Sequence, residues 1–280
     1  MLPIIQILGL PFLICILMST ILGYLGIHVL KREVIFIDIA LAQVAAVGSI
    51  IAHLAFEVHG DSLVAYMCSL GCVLLTAIFY AVIRNKIFQI SLEAIIGISY
   101  AIAAAAALFL VGIAPGGHIH VQHILSGSLL WTGWKDVGVG LLVFSAVGFF
   151  FCLIRKPLTN ISNGYQQALD KGIKVIFWDF IFYLLLGIVI TISVQLGGVV
   201  VVFAYLIIPA TISAIISSRL AMQLMIIWAA AATASITGLL FSYYLDFSIG
   251  PAIALFLGGE LIIVSLIARF WRGTLQLERK

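Results

Sequence analysis

Three histidines in six residues, His118, His120 and His123, follow the pair Gly116-Gly117. Neutral imidazole is a ready ligand for divalent transition metals, and two glycines let the backbone fold tightly enough for such side chains to converge on one ion. His53, Glu57, His59 and Asp61 cluster around an earlier polar stretch, and Asp246 sits in a third. This pattern suits a metal-receiving vestibule; solvated loop histidines, or contacts to another protein, would produce the same composition. A second set of residues with chemistry to offer lies inside apolar runs: Asp38, Asp179, Gln195 and Glu260. A carboxylate in hydrocarbon is costly enough to be read as functional by default. Asp38 takes that reading, with a structural pairing to Lys31 or Arg32 as its rival. Glu260 follows Gly258-Gly259, a pair that lets helices approach closely, and pathway and structural roles stand equal for it. Asp179 is one turn into its run, within reach of Lys174 or Lys171. His28 reads as a buried, hydrogen-bonded residue. Cys68 and Cys72 are spaced i, i+4, but all four cysteines (Cys15, Cys68, Cys72 and Cys152) fall in apolar runs and read as small apolar filler. No Walker A, dinucleotide or HExxH pattern occurs, so the chain has no recognisable nucleotide site of its own.

The elements that must position these residues are membrane helices. Hydrophobic residues make up 64% of the 280-residue chain, charged residues 9%, and the mean hydropathy is +1.27. A soluble domain of that length would lack the charge to cover its surface. In hydrocarbon every backbone polar group must be satisfied within its own segment, so long apolar runs are helices; the short alternating strands of a barrel are absent. The fold class is therefore all-α, a polytopic transmembrane bundle forming one domain over residues 1–280.

Nine spans are expected, at about Ile7–Leu30, Val34–Phe56, Ser62–Ile83, Leu92–Ile113, Asp136–Leu153, Val175–Gln195, Gly197–Ile216, Met222–Tyr244 and Ile249–Ala268. Eight is the rival number, because Gly197, Gly198 and Pro209 could break the seventh. The first run lacks a basic leader and a small-residue cleavage site, and is read as a retained span. The connections put Lys31, Arg32, Arg84, Lys86, Arg155, Lys156, Lys171, Lys174, Arg219, Arg269, Arg272, Arg279 and Lys280 on one side, and only Lys135 on the other. The positive-inside rule makes the first side cytoplasmic, with the C-terminus inside and the N-terminus outside. The net charge of +3 thus follows topology and gives no sign of nucleic-acid binding. Trp131 and Trp134 flank the outer end of the fifth span as interfacial anchors.

The longest cytoplasmic stretch is Arg155–Lys174. Asn163-Gly164-Tyr165-Gln166 has the spacing of a helix N-cap and its N3 partner, and Gly172 can close a short helix after Gln167-Ala168-Leu169-Asp170-Lys171. A compact helix between two spans is not needed to cross a bilayer. It reads as a docking element for a cytoplasmic partner or as an ordinary connector.

Gln167-Ala168-Leu169-Asp170-Lys171-Gly172-Ile173 is similar to the "A-x-x-x-G-(I/V)" segment of permease subunits in the ABC transporters for zinc, manganese and iron. Four further stretches resemble the same family in the same order. Gly26–Arg32 is similar to "G-x-x-V-L-R-R", and Glu93–Ile98 to "D/E-x-x-I-G-I". Gly198–Ala210 is similar to "G-x-x-L-V-x-x-L-L-I-x-P-A", and Ser242–Ala252 to "S-Y-x-L-D-x-P-x-G-P-A". The resemblance runs from about Gly26 to Ala254.

What the resemblance implies is a non-enzymatic transport subunit of the cell membrane with no resident cofactor. Two copies would form the path. A separate cytoplasmic ATPase would hydrolyse ATP and dock at the coupling loop, through Gln166, Gln167, Ala168 and Gly172. An external binding protein would deliver a divalent zinc, manganese or iron ion. The family often has acidic residues where Gln166 and Gln167 stand. It also carries "D-x-x-x-H" early in the second span, as metal contacts. Aligned on Gly48, Gln43 replaces that histidine and Asp38 lies one residue before the aspartate position. A glutamine offers only a carbonyl oxygen, which suits harder ions or a hydrogen-bonded cargo. Asp38 and Gln43 are about 140° apart around a helix and do not share a face. Asp38, Gln43 and Glu260 are the expected pathway residues, and His59, His118, His120 and His123 the expected outer receiving residues. The alternatives are a permease of this architecture carrying a metal chelate or other solute, and an ion-coupled secondary transporter. The latter would show an inverted repeat and no docking helix.

Overall fold

The computed structural model describes residues 2–56, 62–86, 90–113, 129–172 and 174–277. Among these the chain has no strand. It forms α1 (Leu2–Lys31), α2 (Ile37–Phe56), α3 (Leu63–Lys86), α4 (Leu92–Ile113), α5 (Trp134–Leu153), α6 (Arg155–Asn163), α7 (Tyr165–Asp170), α8 (Val175–Gly197), α9 (Val199–Ile216), α10 (Leu220–Leu245) and α11 (Ile249–Leu277), with one 3-10 turn at Leu129–Trp131. All but α6 and α7 are long and apolar enough to cross a membrane, which gives nine spans among the described residues.

The break in the seventh run that would leave eight spans does not occur among the described residues. Gly198 alone separates α8 from α9; its φ of 82° is open to glycine, and it turns the chain between two separate helices. Pro209 lies within α9, which stays one helix of 18 residues.

The helices pack as two groups. One is α2, α3, α4 and α8; the other is α1, α9, α10 and α11. Contacts of α8 with α1 and α9, and of α5 with α1 and α8, join them. Without a hydrophobic force between helices in lipid, close packing must hold such groups, and small residues permit it. At Gly26 of α1 a methyl group would collide with the Leu206 carbonyl of α9. At Gly48 of α2 a Cβ would lie 2.7 Å from Ser69 Cα of α3, and Ser69 Oγ donates to the Ala45 carbonyl across that contact at 2.8 Å.

The segment between α5 and α8 holds two short helices where one was expected. Asn163 is the last residue of α6 and not a cap of the next helix. Extended Gly164 takes that place, and Asn163 Oδ1 accepts a hydrogen bond from Lys31 Nζ at 2.9 Å. Gly172 does end the element: at φ 71° it donates its N–H to the Leu169 carbonyl at 2.8 Å. Buried Ile161, Ala168 and Val175, with Tyr165, Leu169 and Trp178 packed around them, seat α6 and α7 on the start of α8.

Candidate functional site

Asp38 stands in the first turn of α2 and is 2% exposed. Its Oδ1 is sealed from solvent and has no hydrogen-bond partner. Its expected structural partners are engaged elsewhere: Lys31 bonds Asn163, and Arg32 bonds Asp179. Its electrostatic neighbour is Glu93, in the first turn of α4. Glu93 Oε1 accepts the Phe36 N–H at 3.1 Å, so α4 caps the start of α2, while Glu93 Oε2 is buried without a partner. Two carboxylates with open oxygens at the entry of two membrane helices present hard donors of the kind that manganese and other hard divalent ions take.

The three expected pathway residues are not gathered into one cluster. Gln43 is half-buried further along α2. Glu260 lies on α11, where its Oε1 accepts from Thr233 Oγ1 of α10 at 2.7 Å and its Oε2 is sealed without a partner. The glycines before it do not serve close approach within the chain, since a Cβ at Gly258 or Gly259 would meet nothing within 4 Å. Among the described residues no three His, Cys, Asp or Glu side chains converge in a way that could hold a metal ion. His59, His118, His120 and His123 lie outside the described residues, as do Glu57 and Asp61.

A buried polar network occupies the end of the bundle where the basic residues collect. Asp179 is fully buried, and neither Lys174 nor Lys171 is its partner. Arg32 Nη1 donates to Asp179 Oδ1 at 2.6 Å, and Arg84 Nη1 reaches Asp179 Oδ2 at 3.4 Å and Tyr183 Oη at 3.2 Å. The reason is geometric: Lys171 and Lys174 lie before the first turn of α8 and are exposed, whereas Asp179 faces the interior of the bundle. Arg32 also donates from Nε to Ser162 Oγ at 3.0 Å and stacks on the Phe182 ring, 4.0 Å from its centroid. Burial pulls the Arg32 guanidinium below its ordinary value, and the Asp179 carboxylate opposes this. His28 is buried and hydrogen-bonded as expected, its Nδ1 3.0 Å from the same Ser162 hydroxyl. The Arg84 guanidinium lies over the Tyr165 ring at 4.6 Å.

The four expected docking residues divide by position. Gln167 and Gly172 are exposed, while Ala168 is 1% exposed and faces inward under α7. Gln166 lies on α7, with its side chain outside what the structure describes. Sequence reasoning missed Arg84, Ser162, Tyr165, Tyr183 and Glu93 as partners in these clusters. The signal present for Arg84 is a cation at a helix end with no acid close by in the sequence.

Residues 5–269 match the model of the ABC 3 transport family. The manganese transport system membrane protein MntC of Halalkalibacterium halodurans is 25% identical over 92% of this chain and 88% of its own length. The manganese import system permease protein ScaB of Streptococcus parasanguinis is 28% identical over 65% of this chain and 64% of its own. In solved structures, PsaBC from Streptococcus pneumoniae, in complex with Fab, superposes with a TM-score of 0.76 at 21% identity, over 93% of this chain and 92% of that one. That likeness concerns the fold, and the family match covers nearly every described helix. The chain therefore belongs to the ABC 3 transport family, the metal-ion ABC transporter permeases that its motifs resemble.

Proposed function

We propose that this permease carries a divalent transition metal into the cytoplasm, driven by ATP hydrolysis on a separate subunit, and that manganese is its first candidate among zinc, manganese and iron. The observation that carries the proposal is Asp38. It is a buried carboxylate in a membrane helix of a transport-family chain, with an oxygen that no protein group takes up. Asp38 and Gln43 offer oxygen only, and oxygen donors favour manganese over the softer ions. The relatives named for manganese transport agree with that chemistry.

In this reading two copies enclose the path in the cell membrane, with the basic end and the C-terminus in the cytoplasm. An external binding protein hands the ion to the outer loops, through His59, His118, His120 and His123. Asp38, Gln43 and Glu260 line the route. Gln166, Gln167 and Gly172 meet the ATPase, and inward-facing Ala168 holds α7 at the right height for them. Family membership supports this reading over the ion-coupled secondary transporter. A metal chelate as cargo is the second reading, favoured by the glutamine at position 43 where the family has an imidazole.

Total metal in cells with and without this gene, measured by mass spectrometry under mild chelator stress, tests the proposal. A selective loss of manganese, zinc or iron is expected. Unchanged levels of all three would reject the free-ion reading and favour the chelate.

A further inference from the structure

Asp179 accepts from two arginines, one just past the end of α1 and one on α3, and each arginine also holds one residue of the short segment α6–α7. Arg32, at the end of α1, bonds Ser162 of α6 with Nε and Asp179 of α8 with Nη1, at 3.0 and 2.6 Å. Arg84, on the last turns of α3, packs its guanidinium on Tyr165 of α7 at 4.6 Å and bonds Asp179 at 3.4 Å. Each arginine also touches an aromatic residue of α8: Phe182 stacks under Arg32, and the Tyr183 hydroxyl meets Arg84. The arrangement is two parallel links with one shared anchor.

The placement of those links matters. Arg32 belongs to the helix group of α1, α9, α10 and α11, whereas Arg84 and Asp179 belong to that of α2, α3, α4 and α8. A displacement of α6–α7 thus reaches both groups at once. The contacts are charge-assisted or cation–π, and they are nearly dry: the side chains of Arg32, Arg84 and Asp179 are 0%, 13% and 1% exposed. In that setting they are stiffer and stronger than the apolar seating of Ala168 alone. The two bonds to Asp179 are unequal, and Arg32 Nη2 is sealed without a partner, so the cluster has a donor open for an exchange of bonds.

We infer that Arg32 and Arg84, anchored on Asp179 and gripping Ser162 and Tyr165, are the positioning residues that pass movement of the α6–α7 segment into the two helix groups. The inference rests on the reading of that segment as the ATPase contact.

The test uses the assembled permease–ATPase complex in proteoliposomes, with manganese uptake and ATP hydrolysis measured on the same vesicles. The variants are Ser162→Ala with Tyr165→Leu, which release the segment from both arginines and leave the Asp179 ion pairs intact. ATP hydrolysis is expected to persist while manganese taken up per ATP falls about tenfold, the size of an ordinary coupling between sites. Tyr165→Phe keeps the aromatic face beneath Arg84 and is expected to retain the wild-type ratio. An unchanged ratio in the double variant overturns the inference, as does an equal fall in both activities. So does a Tyr165→Phe variant as impaired as the double variant. If the wild-type complex takes up no metal on ATP, the proposed function fails first, and the inference with it.

Discussion

Arg32 Nη1 and Asp179 Oδ1 are 147 residues apart in the chain and 2.6 Å apart in the fold. This ion pair ties the end of α1 to the beginning of α8, with both side chains sealed from water. Removing one partner of such a pair leaves an uncompensated buried charge, a loss of about 3–5 kcal/mol. Asp179→Ala strands two arginines at once. It should destabilise the purified protein by that order, more than Arg84→Met, whose removal leaves the shorter Arg32 bond in place. Thermal unfolding in detergent would rank them; equal midpoints for the two variants would contradict the assignment.

Asp38 should behave in the opposite way. Its Oδ1 makes no hydrogen bond, and Asp38→Asn keeps an oxygen for the backbone N–H groups at the start of α2 while relieving the burial of a carboxylate. The variant should unfold at or above the wild-type temperature yet lose metal uptake. Reduced stability together with normal uptake would make Asp38 a structural residue.

Gly26→Ala forces a methyl group into the Leu206 carbonyl where α1 meets α9. The overpacking should cost about 1–3 kcal/mol. Gly71→Ala, on α3 where an added Cβ meets nothing within 4 Å, should instead stabilise by about 0.5–1 kcal/mol through helix propensity. Unfolding midpoints shifted in opposite directions are the expected result.

Gly172→Pro tests the segment that ends α7. Proline cannot adopt a φ of 71°, and it lacks the N–H that bonds the Leu169 carbonyl. The exposed position leaves the membrane bundle untouched. The protein should insert and purify normally while uptake coupled to ATP hydrolysis collapses; normal uptake would remove this segment from the docking surface.

The membrane helices were legible because length and hydropathy suffice to place them, and the structure differs from the expected edges by a few residues. The helix α6 was not. Its apolar positions, Leu158 and Ile161, are too few in a polar stretch to stand out until Leu158 is seen to join the main core and Ile161 to pack with Ala168 and Val175. His28, Arg32 and Asp179 were each recognisable as polar groups needing partners. Choosing the partners failed because nearness in sequence favoured Lys174, which lies exposed before α8 begins, while Asp179 faces inward. Asp38 stands out in the sequence as a carboxylate in an apolar run, but its neighbour Glu93 becomes visible only when α2 and α4 are packed side by side. Single-residue chemistry can be read from composition and depth; clusters depend on which helices meet.

The most direct measurement is ATP-dependent accumulation of radioactive manganese in proteoliposomes holding this chain with its ATPase, first wild type and then Asp38→Asn. The proposal predicts accumulation that requires ATP, competed by other divalent transition metals in order of their fit to oxygen donors, and abolished by the substitution in a protein that still folds and assembles. Accumulation without ATP, or none of manganese, zinc or iron with it, would contradict it.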